Sequence, residues 1–260
     1  MPGKLRKGIS AKAIREPKRN IRLTIAYDGT AYHGWQRQKN TSRTIQQIIE
    51  HTLAHVLQHK VSLIGSGRTD VGVHAQEQTA NFKTNNEINL DKLQRALNSL
   101  LPLDIVIAEA KEVPLSFHCR YDAKSKFYRY TILNRTYSSP YYYRYSWLYK
   151  PNINVSLMRR ESKYLLGRND FRSFQAKDKI GRNSVRTIQR LIVTKKGDFI
   201  YIDICADGFL YNMARNIVGT LIDIASGKLK DMRHILKAKD RTKAGRTAPA
   251  CGLCLVKVNY

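Results

Sequence analysis

The sequence is poor in acid. Against 46 Lys and Arg stand only 20 Asp and Glu, a formal net charge of +26 over 260 residues. A compact chain with that balance repels itself unless a polyanion or counterions offset it, so nucleic acid is the first partner expected. No apolar run approaches the ~18 to 20 residues that a bilayer-crossing helix needs, and residues 1–20 lack the apolar core of a secretory signal. The expectation is a cytoplasmic protein with no membrane partner. Four cysteines, Cys119, Cys205, Cys251 and Cys254, are too few for a disulfide framework. Cys251 and Cys254 form one CxxC, but residues 251–258 read as a β-strand whose alternation sends the two sulfurs to opposite faces, so no metal site is expected. Walker, GxGxxG, HExxH and GxSxG motifs are all missing. Nucleotide hydrolysis, hydride transfer, zinc proteolysis and α/β-hydrolase chemistry thereby lose their usual sequence support.

What is present is an ordinary globular composition, 42% hydrophobic and 25% charged, which excludes a disordered or fibrous chain. Residues 1–20 hold seven basic side chains against Glu16, with two prolines and no apolar period, and read as a flexible basic arm. Residues 21–27 alternate Ile21, Leu23, Ile25 and Tyr27 with Arg22, Thr24 and Ala26, the period of a strand. Apolar residues from 44 to 58 recur at helical spacing. Strands are predicted at 61–64, 79–82, 105–113 and 127–133, with a glycine-punctuated loop at 65–72 and a helix at 90–100. A second set follows: a helix at 155–166, strands at 188–194 and 199–205, a long helix at 209–225, a basic helix at 232–239 and a terminal strand at 253–260. Hairpin-connected strands mixed with helices predict an α+β fold: two similar halves, 21–114 and 115–260, sharing a largely antiparallel sheet with a central basic cleft.

Chemistry concentrates in Gly65-Ser-Gly-Arg-Thr-Asp-Val-Gly-Val-His-Ala75. Three glycines let a substrate approach the main chain closely, and Arg68 and Asp70 can offer a guanidinium and a carboxylate to one pocket. A tight turn with a solvated ion pair is the plainer alternative. In the long helix, Arg215 shares a face with Tyr211, Val218 and Ile222. A guanidinium among apolar neighbours either pairs with a carboxylate, for which Asp70 is the attractive candidate, or snorkels to water. Tyr128 and Tyr130 share one strand face, where they either pack in the core or stack on a base. Two basic clusters complete the picture. Lys177, Lys179, Arg182, Arg186, Arg190, Lys195 and Lys196 surround a single acid, Asp178, and residues 228–246 hold eight basics against Asp231 and Asp240. With the arm they form an expected phosphate-contacting track.

Three stretches, Tyr27-Asp-Gly-Thr-Ala-Tyr-His-Gly-Trp-Gln-Arg-Gln38, Gly67-Arg-Thr-Asp-Val-Gly-Val-His-Ala75 and Met213-Ala-Arg-Asn-Ile-Val-Gly219, resemble the TruA-type tRNA pseudouridine synthases. Shorter matches at Ile45-Gln46, 96–102, Phe117-His-Cys-Arg120, Tyr128-Arg-Tyr130, 169–174 and 247–253 keep the family order from about residue 21 to the C-terminus, with Ala250 where a second proline is usual. The resemblance implies isomerisation of uridine to pseudouridine at positions 38, 39 and 40 of the tRNA anticodon arm, by base flipping, in a homodimer that uses neither metal nor organic cofactor. It makes Asp70 the catalytic carboxylate, Tyr128 the active-site aromatic and Arg215 the partner that keeps Asp70 ionised, with Arg68 assisting extrusion of the base. Whether the carboxylate attacks C6 of the base or the sugar carbon is left open. Together with Arg68, the residues Thr69, His74, Gln46, Arg120, Tyr130 and Arg186 are expected to contact substrate or RNA. The competing readings are a basic RNA-binding protein or chaperone that has kept the scaffold without turnover, and a relative acting on other uridines. The presence of Asp70, Tyr128 and Arg215 together favours catalysis.

Overall fold

The computed structural model describes residues 16–176 and 183–260. Most of the predicted arm, and Lys177, Asp178, Lys179 and Arg182 of the first basic cluster, therefore lie outside the described residues. The elements in chain order are β1 (Arg19–Tyr27), α1 (Ile45–Leu57), β2 (Ile64–Gly65), β3 (His74–Thr84), α2 (Leu90–Leu100), β4 (Ile105–Val113), β5 (Ser125–Leu133), β6 (Trp147–Leu148), α3 (Val155–Ser162), β7 (Gly167–Asp170), β8 (Val185–Lys196), β9 (Phe199–Ala206), α4 (Met213–Ala225), α5 (Met232–Ala238) and β10 (Leu253–Asn259). The fold is α+β, as the alternation of strand and helix periods predicted. No helix among the described residues is long and apolar enough to cross a membrane.

The ten strands among the described residues join one sheet in the order β4-β1-β3-β10-β5-β9-β8-β7, with β2 on β3 and β6 on β5. Neighbours run antiparallel except β10 with β3 and β6 with β5. The last strand of the chain thus lies between β3, which follows the Asp70 loop, and β5, which carries Tyr128. Its register places Cys254 against His74 and Leu255 against both Ala75 and Tyr128. This placement brings segments far apart in sequence to one point of the sheet.

Several boundaries differ from the sequence reading for identifiable reasons. Arg19 and Asn20 belong to β1 rather than to an arm. Asn20 is fully buried, donates to the carbonyls of Pro114 and Phe117 at 3.0 and 2.8 Å, and accepts from Asn81 at 2.9 Å. The strand predicted at 61–64 contracts to two residues, because only Ile64 and Gly65 reach a partner on β3. β3 starts five residues earlier than predicted, at His74. Helix α4 begins at Met213 rather than 209, since Asn212 takes a left-handed conformation (φ 61°) that ends the preceding turn. Tyr211 consequently lies before the helix and does not share a face with Arg215. Cys251 occupies a short 3₁₀ turn (Ala250–Gly252) rather than a strand, so it and Cys254 line one cavity of about 210 Å³ together with His74, Arg129 and Tyr145. The expectation of opposite faces is corrected by that turn.

Helix α4 is buried nearly all round, the pattern of a helix enclosed by the fold. Residues 246–248 cross it so closely that a Cβ on Gly219 would stand 1.8 Å from the carbonyl oxygen of Arg246. Replacing Gly219 by alanine is expected to cost about 2–3 kcal/mol of stability through this overlap, read as a lowered urea midpoint at unchanged slope. A midpoint equal to the parent's would contradict the close crossing.

Candidate active site

The Asp70 loop is held by backbone and side-chain contacts together. Ser66 N–H donates to the Thr79 carbonyl at 2.8 Å and its hydroxyl to Gln78 at 2.7 Å, while the Gln78 amide donates to the Gly67 carbonyl at 3.0 Å. On the other side the segment that follows β1 packs directly onto the loop. Trp35 N–H donates to the Thr69 carbonyl at 3.1 Å, and the hydroxyls of Tyr27 and Thr69 are 2.8 Å apart. Gly34, at φ +82°, lies where a Cβ would come within 2.8 Å of the Thr69 carbonyl oxygen, and a Cβ on Gly29 would meet the Val73 carbonyl oxygen at 2.1 Å. The glycines of the first motif are therefore there to let one backbone lie against another.

Arg215, in the first turn of α4, reaches Asp70 at 3.2 Å, with 18% and 19% of the two side chains exposed. Its Nε also donates to the Ala248 carbonyl at 2.8 Å, and Nη1 to the Asn212 amide oxygen at 3.1 Å. Three acceptors in one fork fix the guanidinium plane, so the charge opposite Asp70 is preorganised. Of the two sequence alternatives, snorkelling is thus excluded. Tyr128 is 7% exposed and packs edge-on against Phe209, ring centroids 4.8 Å apart. Burial, with smaller contributions from nearby Tyr27 and Asp70, pushes its phenol well above the ordinary tyrosine range. Tyr128 is a neutral hydroxyl at physiological pH, able to donate a proton or a hydrogen bond.

The other expected contacts divide sharply. Arg68 and Arg120 are exposed and Arg186 is half-buried. Arg68 Nε donates to Gln36 at 3.0 Å. Four residues turn inward instead. Thr69 is held by Tyr27 as described. Gln46 is buried, accepts from the Gln36 amide and Arg37 N–H at 2.8 and 2.9 Å, and donates to the Leu63 carbonyl at 2.8 Å, which leaves it a brace behind Arg68 rather than an RNA contact. His74 is 5% exposed; its Nδ1 accepts from Gly29 N–H at 3.1 Å and its Nε2 faces the carbonyls of Arg144 and Cys251 at 2.9 and 3.2 Å. Carbonyls only accept, so this pattern assigns the hydrogen to Nε2. Asp28 lies 3.1 Å from the same Nδ1. Burial works against ionising Asp28, but hydrogen bonds from the Thr30 hydroxyl and N–H and from the Tyr145 hydroxyl outweigh it and lower its pKa.

Tyr130 is fully buried, and its hydroxyl donates to the Pro249 carbonyl at 2.7 Å. Tyr130→Phe is expected to lose about 1 kcal/mol of stability, because a buried carbonyl loses its donor, while turnover stays within twofold of the parent. A hundredfold loss of activity in that variant would place Tyr130 at the reacting base after all. In the 228–246 stretch, Arg246 pairs with Asp223 at 2.8 Å, Lys239 with Asp170 at 3.6 Å, and Arg241 donates to Ala244, Gly245, Asn216 and Thr247, so three of the eight cations are engaged within the chain. Sequence reasoning passed over Gln36, which braces Arg68, and Lys126, which touches the Asp70 loop. The signal for Lys126 was present in the strand period, two positions before Tyr128.

A family model described as tRNA pseudouridine synthase matches residues 23–122 and 162–260, segments that contain Asp70 and Arg215. The chain belongs to the tRNA pseudouridine synthase family. Proteins called tRNA pseudouridine synthase A from Thermoanaerobacter sp. (strain X514) and Caldicellulosiruptor bescii are 49% and 48% identical to it over 244 residues, 93% of this chain and 100% of each relative. The protein of that name from Clostridium acetobutylicum is 44% identical over the same length. Among solved structures, a chain of a Cbf5-Nop10-Gar1 complex overlaps with a TM-score of 0.36 at 11% identity, covering 90% of this chain and 48% of that one. The protein is a tRNA pseudouridine synthase, an isomerase whose substrate is uridine within tRNA. For such an enzyme the +26 charge has an evident use, since tRNA is a polyanion.

Proposed function

We propose that this pseudouridine synthase isomerises uridines 38, 39 and 40 in the anticodon arm of tRNA, acting on a base extruded from its stack, with Asp70 as the essential carboxylate. The observation that supports this reading is the Asp70–Arg215 pair at 3.2 Å, with both side chains about four-fifths buried. The reaction breaks the bond between the sugar C1′ and the base N1, turns the freed uracil, and rejoins it through C5. Such a sequence needs a site that holds the base while it is detached and a fixed anion beside the sugar or the base. Asp70 supplies the anion and Arg215 holds it in place. Tyr128 offers a stacking face for the uracil and a neutral hydroxyl that can pass a proton when C5 loses its hydrogen. Arg68, exposed and steered by Gln36, is suited to occupy the stack that the base vacates.

The same reading includes a homodimer in the cytoplasm without metal or cofactor, and a division of the catalytic core near residue 114 into two halves. Mapping pseudouridine in bulk tRNA after incubation with the protein tests reaction and position together. New pseudouridine at 38, 39 and 40 is the expected result. Pseudouridine appearing only elsewhere in the tRNA would refute the position.

A further inference from the structure

Lys126 sits beside the Asp70 loop, and the isomerisation itself gives it no task. Strand alternation puts it on the same face of β5 as Tyr128. Its Nζ donates to the Ser66 carbonyl at 2.7 Å, four residues before Asp70, and would lie 3.1 Å from a Cβ on Gly67, so that glycine leaves room for the amine. Cross-strand register aligns Lys126 with Ala206 on β9 and Ala206 with Ile188 on β8. Arg186 lies two residues from Ile188 and on the same face. Its Nε comes 3.3 Å from where a Cβ on Gly208 would stand, just beyond the end of β9. Arg120 lies in the turn that leads into β5.

None of the three is paired with a carboxylate among the described residues. The Lys126 amine meets a backbone carbonyl, Arg186 donates to the carbonyls of Asn183 and Val185 at 2.9 and 2.6 Å, and the Arg120 guanidinium lies 5.8 Å from the Tyr121 ring centroid. The crowding has an electrostatic consequence: burial first, then the charges of Arg120 and Arg186, pull the Lys126 amine from 10.5 down to about 8. A cation held half-buried against two others is unfavourable in the empty protein. An anion placed among them reverses the balance, because each cation then meets an opposite charge at short range.

We infer that Arg120, Lys126 and Arg186 form a subsite for one backbone phosphate of the RNA strand, adjacent to the reacting uridine, on the side of the Asp70 loop bounded by Ser66 and Gly67. The inference rests on the reading of Asp70 as the reacting group. An extruded nucleotide swings about its two flanking phosphates, so a cation fixed to the same loop as the catalytic carboxylate sets the distance between backbone and reacting base. Lysine suits this position as a compact point charge, and the two arginines broaden the field around it.

The test uses the full-length enzyme, tRNA stem-loops carrying a single methylphosphonate at the phosphate 5′ or 3′ of the target uridine, and the variants Lys126→Gln and Lys126→Arg. Lys126→Gln is expected to weaken RNA binding about tenfold and to make log Kd against log salt shallower by about 0.7–0.9, the value of one phosphate contact. Lys126→Arg should recover most of both. Neutralising one flanking phosphate should cost the parent about tenfold and cost Lys126→Gln clearly less, since only the two arginines then remain to meet it. Parent-like affinity and salt slope in Lys126→Gln, or equal methylphosphonate penalties in parent and variant at both positions, would overturn the inference. Arg186→Gln, on a different strand, should reproduce the same coupling, and it decides the matter if Lys126→Gln melts below the assay temperature. A parent enzyme that leaves tRNA uridines unchanged would instead count against the proposed function, so the two failures are separable.

Discussion

Replacing Asp70 by asparagine is expected to leave a folded protein that binds tRNA and makes no measurable pseudouridine. The amide is close to the carboxylate in shape and still offers an oxygen to Arg215 at the 3.2 Å contact, so the loop and the first turn of α4 keep their geometry. What disappears is the negative charge and the nucleophilic oxygen. No other carboxylate is paired with Arg215 among the described residues, and removal of a group that bonds to or stabilises the reacting carbon typically costs more than about 10⁴-fold. Binding should stay within about threefold, because phosphate contacts supply most of the affinity for RNA. Release of tritium from C5-labelled uridine in tRNA measures the first effect and filter binding the second. Turnover within tenfold of the parent would remove Asp70 from the chemistry.

Arg215→Ala is expected to lose both activity and stability, and the two losses separate in Arg215→Lys. The alanine variant takes this donor from the Ala248 carbonyl and the Asn212 amide oxygen and takes the Arg215 charge from beside Asp70. The pair is about four-fifths buried, so the cost is placed between that of a neutral hydrogen bond and that of a fully buried ion pair, about 2–3 kcal/mol. Turnover should fall by at least about 10²-fold as the carboxylate loses its fixed orientation. Lysine restores the charge but not the planar fork that serves three acceptors at once, so the lysine variant should regain part of the stability while kcat remains well below the parent's. Denaturant unfolding and single-turnover kinetics give the two readouts. An alanine variant with parental kcat would show that the ion pair holds the fold and leaves the reaction untouched.

The same contrast between charge and placement runs through the candidate site. Motif residues that the family resemblance treats as one group split on inspection into those that face outward and those that carry them. Gln46 and Tyr130 sit in well-matched motifs, yet one braces Gln36 behind Arg68 and the other caps the Pro249 carbonyl. Strand alternation correctly gave Tyr128 and Tyr130 one face. It could not tell which would lie beneath the 249–252 turn, where a Cβ on Gly252 would meet the Tyr130 ring at 2.6 Å. The 228–246 stretch behaves likewise: its charge density was legible, whereas the use of Arg241 and Arg246 to tie down a chain segment depends on partners at positions 216 and 223.

Local periodicity alone determined α2 and β4, whose bounds match the sequence reading to the residue, because α2 has an amphipathic face between the Asn89 cap and the break at Leu101 and β4 opens with the alternating Ile105 and Ile107. It also determined the α+β class, while the family motifs, not periodicity, pointed to Asp70, Tyr128 and Arg215 as the residues proposed for catalysis. The short strands β6 and β7 were missed because they exist only through their partners, Trp147 and Leu148 on Ile132 and Leu133, and residues 167–170 on 185–188. Tertiary structure decided between pairing and snorkelling for Arg215, bringing it to Asp70 across 145 positions of chain, and it alone set Lys126 against the Ser66 carbonyl of the Asp70 loop. Helix and strand periods arise from neighbours a few residues apart and are written into any short window. A contact between remote side chains depends on sheet order, on β10 entering between β3 and β5, and on glycines that let backbones touch, and no single window of sequence contains all of these.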